Sequence, residues 1–328
     1  MSDQAEVKPV VTAALICYNH ARFVEAALES IEAQAYSNLH LVIVDDCSTD
    51  GSANIIRHWL REHWPSAVLV SHETNHGVCR SCNDALAHSK GKYIRFLSAD
   101  DLWLPGSLSR QVEFMEELPE EVGVLYSDAY KIDESGESLP GLFIEAQRSL
   151  PGIPEGSLFD TLIEGNFIPA MTALIRRGCF ERVGGYDETL AFEDWDMWLR
   201  LSHRYGFRYL PEPTAKYRVV TTSMMHTRTA EMRASGNRIY VKCLRHGWLT
   251  GQTREYAMCL EEVEAMRAYR EKRPNRVMEA AWTLRHRRCI KCVLLLLFVT
   301  VGVPYVRFQR LLGVARSVRK TAGSVGPD

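Results

Sequence analysis

The sequence predicts an α/β fold in which a doubly wound, mostly parallel sheet is followed by a helical, basic C-terminal region. Short and almost continuously apolar runs recur along the first hundred residues, as in parallel strands that are buried on both faces. Segments with apolar residues at helical spacing lie between these runs, and such alternation is typical of a doubly wound sheet. From residue 228 to residue 288 the pattern is polar and helical, with few strand signals.

Five apolar or β-branched runs are predicted as strands, at residues 10–17, 39–44, 67–71, 92–97 and 124–131. Apolar side chains at spacings of three and four predict helices at residues 23–31, 55–60, 77–87 and 108–118. Pro105 lies near the start of the last of these helices, where a proline is tolerated. A further helix is predicted to begin at Asp194, with Met197, Trp198 and Leu201 on its buried face.

Polar residues follow the predicted strands, and in an open α/β sheet ligands bind outside the carboxyl ends of the strands. Tyr18 and Asn19 follow the first strand, whereas acidic runs at 45–51 and 98–101 follow two others. Carboxylates repel phosphate but hold a divalent cation, which in turn binds a diphosphate. The sequence has neither G-x-G-x-x-G nor G-x-x-x-x-G-K-[ST], so it predicts neither a Rossmann dehydrogenase nor a P-loop NTPase.

Composition places the chain among ordinary globular proteins. Its 328 residues are 46% hydrophobic and 24% charged, which argues against disorder, collagen-like repeats and a polytopic membrane protein. The net charge of -2 is unevenly distributed, because residues 270–328 carry 13 basic and 3 acidic residues. A basic end predicts an anionic partner, either nucleic acid or a membrane surface. The predicted organisation is a sheet domain (1–225), a helical extension (226–288) and a basic, apolar tail (289–328).

The nine cysteines are an odd number spread along the chain, and residues 1–8 are polar, without the apolar stretch of a signal peptide. Both features predict a reducing cytoplasm. Two C-x-x-C pairs, Cys79/Cys82 and Cys289/Cys292, lie far apart in the sequence. They are interpreted as packing cysteines rather than as a zinc site.

Six short motifs follow one another along the chain. They are Cys17-Tyr18-Asn19, Val44-Asp45-Asp46-Cys47-Ser48-Thr49-Asp50-Gly51, Asn75-His76-Gly77, Ser98-Ala99-Asp100-Asp101, Gly184-Gly185-Tyr186-Asp187-Glu188 and Glu193-Asp194. This succession resembles the family-2 glycosyltransferases over residues 8–220, roughly two thirds of the chain. The resemblance implies a GT-A fold and transfer of a sugar from a nucleoside-diphosphate sugar to an acceptor hydroxyl. It also implies inversion at the anomeric carbon.

The resemblance places the nucleotide-sugar against the first strand ends. The residues that it implies as ligands of the donor are Cys17, Tyr18, Asn19, Asp45, Asp46, Arg80 and Asp100. Tyr18 would flank the base, and Asp45 or Asp46 would accept a hydrogen bond from the base or the ribose. The alternative for Asp45 and Asp46 is capping of the next helix, a role that Ser48 or Asp50 could fill. Arg80 is included because Cys82 stands where many relatives have Arg.

Ser98-Ala99-Asp100-Asp101 resembles the metal motif of the family, whose acidic residues hold Mg²⁺ or Mn²⁺ on the diphosphate. The usual pattern is D-x-D-D, and Ser98 replaces its first Asp. The resemblance makes Asp100 the direct metal ligand and Asp101 a second ligand or a residue behind it. One or two carboxylates with phosphates and water are sufficient for Mg²⁺.

Glu193-Asp194 resembles the E-D motif of the family, in which the Asp is the general base. A single displacement needs a carboxylate that takes the proton of the acceptor hydroxyl. Glu193 would orient the acceptor, and capping of the following helix is the alternative for Asp194. Asp196 is expected to be solvated. The residues implied on the acceptor side are Gly185, Tyr186, Asp187, Glu188 and Trp195, with a core position as the alternative for Trp195.

Residues 292–306 form an apolar run of 15 residues with basic residues on both sides. As a helix the run spans about 22 Å, less than the roughly 30 Å of a hydrocarbon core. It therefore predicts a monotopic segment at an anionic membrane surface. The alternative is a helix buried against the protein or against a second subunit of a homo-oligomer. No nucleic-acid partner is predicted, since the tail lacks interleaved aromatic residues.

These features together predict a cytoplasmic, metal-dependent inverting glycosyltransferase that is peripheral at the inner face of the cell membrane. Its expected acceptor is a glycan or lipid-linked glycan in bacterial surface polysaccharide synthesis. Because Ser98 replaces a metal ligand, the alternative is a non-catalytic or weakly active protein that binds nucleotide-sugars. A sugar nucleotidyltransferase is less favoured, because no Gly-rich basic loop follows the first strand.

Overall fold

The computed structural model describes residues 8–147, 152–220, 229–286 and 290–300. The chain divides into two compact units, Met1–Ser235 and Gly236–Asp328. The strands are β1 (Val11–Cys17), β2 (Leu39–Asp45), β3 (Val68–Ser71), β4 (Tyr93–Ser98), β5 (Leu102–Trp103), β6 (Val122–Ile132), β7 (Ser138–Leu142), β8 (Leu174–Arg176) and β9 (Gly206–Arg218).

The helices of the first unit are α1 (Val24–Glu32), α2 (Ser52–His63), α3 (Val78–His88), α4 (Ser107–Glu116), α5 (Phe143–Gln147), α6 (Phe159–Ile163), α7 (Cys179–Val183) and α8 (Asp194–Ser202). A 3₁₀ turn, Ala170–Thr172, precedes β8. Helix α9 (Thr229–Arg245) begins in the first unit and ends in the second, which continues with α10 (Gly251–Arg270), α11 (Arg276–His286) and α12 (Ile290–Thr300).

The strands form one sheet in the order β3-β2-β1-β4-β8-β6-β9-β5, with β7 paired to β6. The four strands β3, β2, β1 and β4 are parallel. In the other half, β8 runs antiparallel to β4 and β6, while β9 is parallel to β6. The α/β class with a helical C-terminal region is confirmed, and the antiparallel β8 makes the second half of the sheet mixed.

Local sequence pattern accounts well for the parallel half. The four strands and four helices predicted before residue 120 are all present. The strands are nearly continuous apolar runs because helices cover both faces of the sheet. One face packs Leu15 and Ile43 against Leu28, whereas the other packs Tyr93 against Leu108. The resulting core holds the carboxyl ends of β1, β2 and β4 in fixed positions.

Strand β9 is not predicted from the sequence, because Pro211 and Pro213 interrupt it. The structure accommodates both prolines at an irregularity in the pairing with β6. The register passes from Ser127 opposite Leu210 directly to Ala129 opposite Ala215. Prolines lack the amide that a sheet ladder requires, so they are tolerated where the ladder is interrupted.

The described part of the second unit is a small helical assembly. Ala265 and Tyr269 of α10 pack with Ala280 of α11 and with Leu295 and Val299 of α12. None of the helices in the described ranges combines the length and hydrophobicity that a membrane crossing requires. The predicted tail lies outside the described residues beyond Thr300.

Candidate active site

The candidate site lies at one edge of the sheet, where β2, β1 and β4 end side by side. Cys17 at the end of β1 pairs with Asp45 at the end of β2. On the other side, Ile16 of β1 pairs with Ser98 at the end of β4. The strand-end motifs identified in the sequence therefore meet at this edge, where ligands of open α/β sheets bind.

Hydrogen bonds tie the loop after β1 to the loop after β2. The amide of Asn19 donates to Ser48 Oγ at 2.9 Å, and Asn19 Oδ1 accepts from the amide of Thr49 at 2.8 Å. Asn19 has a φ of 57°, a left-handed conformation that Asn adopts more readily than most residues. Tyr18 remains 41% exposed beside these loops. Its ring is thus accessible to a planar base.

Asp45 presents a buried oxygen that lacks a hydrogen-bond donor. The side chain is almost fully buried, and Oδ2 accepts from the amide of Ser48 at 3.3 Å. Oδ1 has no hydrogen-bond partner among the described residues. A buried oxygen without a donor is costly, so an N–H or O–H of a ligand would be stabilised there. Asp50 binds the amide of Ser52 at the start of α2 at 3.0 Å, so Asp45 is not needed as a cap.

Two side chains predicted to touch the donor, those of Cys17 and Asp46, have contacts within the protein, and their contact with the donor stays a prediction. Cys17 is fully buried, and burial together with the charge of Asp45 raises the pKa of its thiol to about 12. Asp46 Oδ1 accepts from His72 Nδ1 at 2.7 Å and from the amide of His76 at 2.8 Å. Asp46 Oδ2 accepts from the amide of Gly77 at 2.8 Å. Both side chains are buried at the sheet edge.

Asp100 and Asp101 differ sharply in their surroundings. The Asp100 side chain is 21% exposed, and its Oδ2 lies 3.8 Å from His20 Nε2. Asp101 is buried and accepts a hydrogen bond from the amide of Arg218 at 2.8 Å. Burial and the neighbouring charge of Asp100 raise the pKa of Asp101 well above its usual range. Arg218 Nε also donates to the carbonyl of Asp100 at 2.8 Å, which fastens β9 behind the motif.

These carboxylates fit a hard divalent cation that is shared with a bound diphosphate. Asp100 offers an accessible carboxylate, Asp101 lies behind it, and Ser98 is exposed at the end of β4. Within the described ranges, no group of three or more His, Cys, Asp or Glu side chains is arranged to hold a metal ion. Mg²⁺ and similar ions are commonly bound by one or two carboxylates plus phosphate and water. The donor set therefore matches a cation that arrives with the nucleotide.

Asp194 is the first residue of α8 and is held by two donors. Oδ1 accepts from the amide of Trp195 at 2.7 Å, and Oδ2 accepts from Asn166 Nδ2 at 2.6 Å. Burial raises the pKa of Asp194, and the two hydrogen bonds partly oppose that rise. Burial also raises the pKa of Glu193, which the charge of Asp194 raises further. Both carboxyl groups therefore keep their protons to higher pH than a solvated Glu or Asp does.

Tyr217 on β9 is sensitive to both groups of carboxylates. Burial raises the pKa of its phenol to about 12, and the charges of Asp101, Asp100 and Asp194 add to that effect. That the base candidate and the cation candidate share one site stays a prediction.

The loop at residues 184–188 is fastened to α3 through Asn83. Asn83 Oδ1 accepts from the amide of Tyr186 at 2.6 Å, and Nδ2 donates to the carbonyl of Tyr186 at 3.0 Å and to Glu188 Oε1 at 2.8 Å. Gly185 is required because a Cβ there would overlap Asn83 Oδ1. The buried ring of Tyr186 packs edge-on against Phe96. Tyr186 therefore holds the loop, and the acceptor role of the loop stays a prediction.

Three other predicted site residues lie around this loop. Arg80 Nε donates to Asp84 at 3.0 Å, and another guanidinium nitrogen lies 3.7 Å from Glu188. Asp187 accepts from the hydroxyl of Thr189 at 2.7 Å within its own turn. Trp195 is partly exposed and donates from Nε1 to the carbonyl of Leu162 at 2.6 Å, whereas Trp198 is buried in the core.

The expectation that Asp196 is solvated is wrong. Its side chain is buried and accepts from Arg200 Nε at 2.8 Å. Arg200 also donates to the carbonyl of Val183 at 2.7 Å, directly before the loop at residues 184–188, which is called the acceptor-side loop. A charged residue on a helix normally faces water, and only the partner on the same helix turn allows its burial.

Sequence reasoning missed three residues that position the site, namely Asn83, Asn166 and His72. Each is a single polar residue outside the recognised motifs, so no pattern marked it. Cys79 and Cys82 are buried in α3, in agreement with a packing role. A cleft of about 660 Å³ that contains Gly91 and Arg177 lies at the opposite edge of the sheet, away from these residues.

An α/β sheet with an acidic carboxyl edge, followed by a partly buried Glu-Asp pair at the start of α8, is the arrangement expected of a GT-A glycosyltransferase. Residues 12–184 match the family model described as "Glycosyl transferase family 2". EpsE of Bacillus subtilis (strain 168), a glycosyltransferase by name, is 30% identical over 214 residues, which cover 64% of this chain and 73% of EpsE. The chain belongs to glycosyl transferase family 2 and is a glycosyltransferase.

Further comparisons agree with this assignment. TuaG of the same Bacillus subtilis strain, named as a teichuronic acid biosynthesis glycosyltransferase, is 29% identical over 226 residues, which cover 66% of this chain and 82% of TuaG. The mannosyltransferase PcManGT from Pyrobaculum calidifontis, solved with GDP-Man and Mn²⁺, aligns with a TM-score of 0.56 at 19% identity and covers 97% of this chain and 89% of PcManGT. Staphylococcus aureus TarS in complex with UDP-GlcNAc aligns with a TM-score of 0.57 at 16% identity and covers 88% and 83%. These structural likenesses concern the fold.

Proposed function

We propose that the protein transfers a sugar from a nucleoside-diphosphate sugar to a hydroxyl group of a glycan or lipid-linked glycan, with inversion. The observation that carries this proposal is the sheet edge at which β2, β1 and β4 end side by side, with Asp45 at the end of β2 and the acidic motif at the end of β4, in a chain that belongs to glycosyl transferase family 2. Inverting transfer needs a base for the acceptor and a group that offsets the charge of the diphosphate, and Asp194 and Asp100 are proposed for these roles.

In this reaction Asp194 accepts the proton of the acceptor hydroxyl while the oxygen forms a bond to the anomeric carbon. The bond between that carbon and the diphosphate breaks, and the nucleoside diphosphate leaves from the opposite face. Tyr18 stacks on the base, and Asp45 Oδ1 accepts from the base or the ribose. A Mg²⁺ or Mn²⁺ ion held by Asp100 would supply positive charge that offsets the charge of the leaving diphosphate.

Bacterial surface polysaccharide synthesis is the proposed context. Its support is the name of TuaG, which refers to teichuronic acid biosynthesis. The donor is to be sought among both UDP- and GDP-sugars, because GT-A structures similar to this chain were solved with UDP-GlcNAc and with GDP-Man. The proposed location is the cytoplasmic face of the cell membrane.

A thermal-shift panel followed by a turnover assay tests the proposal. UDP, GDP and their sugars are added with Mn²⁺ or Mg²⁺, and one nucleotide is expected to raise the unfolding temperature. The matching nucleotide-sugar is then expected to release nucleoside diphosphate when glycan acceptors are present. Stabilisation without turnover over the whole acceptor panel would instead favour the non-catalytic alternative, for which Ser98 is the supporting observation. Absence of any stabilisation would contradict both functions.

The acid limb of the pH profile is expected to lie well above the ordinary aspartate pKa of about 3.9. Burial raises the pKa of Asp194, and transfer requires its ionised form, so kcat falls as the pH falls through the raised value. Asn166 donates to Asp194 and lowers that pKa. Asn166→Ala is therefore expected to move the acid limb to higher pH. An unchanged limb in this variant would contradict the role of Asp194 as base.

We also propose that the C-terminal region binds an anionic membrane surface. Helix α12 buries Leu295 and Val299 in the second unit but leaves Val293 and Leu297 exposed, by 40% and 53%. Its 11 residues span about 16 Å, which suits a segment at the interface.

Removal of residues 289–328 is expected to abolish co-sedimentation with vesicles that contain phosphatidylglycerol. Because the truncation also removes Leu295 and Val299 from the core, a second variant, Val293→Ser/Leu297→Ser, alters only exposed positions of α12. It is expected to weaken vesicle binding by about tenfold, since two exposed apolar side chains lose their burial. If both variants still sediment with the vesicles as the wild type does, the membrane proposal is contradicted. If, in addition, the variants have a lower molecular mass in solution than the wild type, the segment is a contact between subunits.

A further inference from the structure

His72 follows β3 and lies between two carboxylates. Its Nδ1 is 2.7 Å from Asp46 Oδ1, and its Nε2 is 2.9 Å from Asp84 Oδ2. The imidazole side chain is only 9% exposed. The Asp46 side chain is buried, whereas the Asp84 side chain is 20% exposed. The ring therefore bridges an interior carboxylate and one closer to the surface.

The two carboxylates belong to different elements of the site. Asp46 directly follows Asp45, the last residue of β2. It also accepts hydrogen bonds from the amides of His76 and Gly77, which precede α3. Asp84 is in the middle of α3 and also accepts from Arg80 Nε at 3.0 Å. His72 therefore joins the donor-side edge of the sheet to helix α3.

Helix α3 also carries the residue that holds the acceptor-side loop. Asn83, next to Asp84, makes three hydrogen bonds of 2.6 to 3.0 Å to Tyr186 and Glu188. A shift of α3 relative to Asp46 must therefore move the loop at residues 184–188. The Asp46–His72–Asp84 bridge joins the sheet edge to α3, and Asn83 joins α3 to the loop.

We propose that His72 is a positioning residue that couples nucleotide binding at the sheet edge to the ordering of the acceptor-side loop. This inference rests on the proposed function of the two sides. The groups that face the ring are Asp46 from the end of β2, Asp84 from α3 and the ring of His76, which is edge-on at 5.0 Å. Arg80 adds positive charge behind Asp84. Without His72, the side-chain link between Asp46 and Asp84 would be broken, although Asp84 would keep Arg80 as a partner.

Hydrogen exchange of the full-length protein with UDP or GDP and Mn²⁺ as the probe tests the coupling. In the wild type, the nucleotide that binds is expected to slow exchange of the amides at residues 184–188 by about tenfold, within the range of ordinary coupling energies. In His72→Gln the same nucleotide is expected to bind more weakly. At saturation it is expected to slow exchange of this loop by less than about twofold, instead of about tenfold, because the coupling is lost. Full protection in this variant would overturn the proposal.

Two further variants separate coupling from general loss of structure. His72→Gln/Asp84→Asn keeps the Asp46 carboxylate and replaces the other two members of the bridge with amides that can donate and accept hydrogen bonds, and it is expected to restore protection of the loop. Failure of that rescue would reduce His72 to a packing residue and overturn the proposal. His63→Gln is the matched control, because His63 is exposed, stacks on Trp59 and has its carboxylate partner, Glu32 at 3.2 Å, on α1.

The bridge of His72 can also be tested without any nucleotide. In the free protein, His72→Gln is expected to speed hydrogen exchange of the amides at residues 184–188 relative to the wild type, because α3 loses its link to Asp46. Equal exchange would overturn the bridge even if the protein proves to be an active transferase. Failure of every nucleotide to bind, with faster exchange of the loop in His72→Gln, would instead contradict the proposed function and leave the bridge supported.

Discussion

Replacement of Asp194 by Asn is expected to abolish sugar transfer while nucleotide binding persists. The substitution retains the size of the side chain and an oxygen that can accept from Asn166, but it removes the base. General-base catalysis contributes about 10²- to 10⁴-fold, so kcat is expected to fall by at least about two orders of magnitude. Initial rates of nucleoside diphosphate release measure the effect, and calorimetry measures the Kd of the nucleotide. Equal loss of binding and turnover would contradict the assignment of Asp194 as base.

The same variant is expected to be at least as stable as the wild type at neutral pH. Because burial raises the pKa of Asp194, the folded state binds its proton more tightly than the unfolded state does. Its contribution to stability therefore decreases as the pH rises through these pKa values, and a neutral amide avoids that cost. Asp160→Asn, an exposed substitution on α6, is the control for a general effect of losing a carboxylate. An Asp194→Asn variant that unfolds at much lower temperature would mean that the carboxylate is structural.

The parallel half of the fold could be predicted because each of its strands and helices is indicated by a pattern within its own short segment of sequence. Each of β1, β2 and β4 is a short apolar run, and the helices between them show regular spacing. Strand β9 could not be predicted, because its two prolines are compatible with a strand only where β6 skips a pairing. That compatibility depends on a partner about eighty residues away in the sequence, and no local pattern reports it.

The chemistry-bearing residues of the site were predictable for a related reason. Parallel strands bring their carboxyl ends to one edge, so Asp45 and Asp100 had to lie near each other once the sheet was predicted. The burial of individual side chains was not predictable. Asp46 and Asp196 look equally acidic in the sequence, yet their partners His72 and Arg200 make them part of the framework. A charge becomes structural only when a specific counter-charge accompanies it into the interior.

Asp100→Asn is expected to cause the second large loss of activity, through the cation. A bound cation is worth several kcal/mol of transition-state stabilisation, so kcat/KM is expected to fall by about two orders of magnitude or more at fixed Mn²⁺. The Mn²⁺ concentration for half-maximal activity is also expected to rise. Asp101→Asn is the matched comparison, because this carboxyl is buried and holds the amide of Arg218. It should lower the unfolding temperature more than it changes the requirement for Mn²⁺.

Ser98→Asp provides the opposite change at the same strand end. Ser98 is exposed at the end of β4, two residues before Asp100, so a carboxylate there can be accommodated without burial. If Asp100 holds the cation together with the diphosphate, an added carboxylate should lower the Mn²⁺ concentration for half-maximal activity several-fold, as added ligand charge does in other oxygen-ligand sites. Electron paramagnetic resonance of Mn²⁺ with saturating nucleotide measures the same shift without turnover. If neither Asp100→Asn nor Ser98→Asp changes the affinity for Mn²⁺, the cation is not held at this strand end.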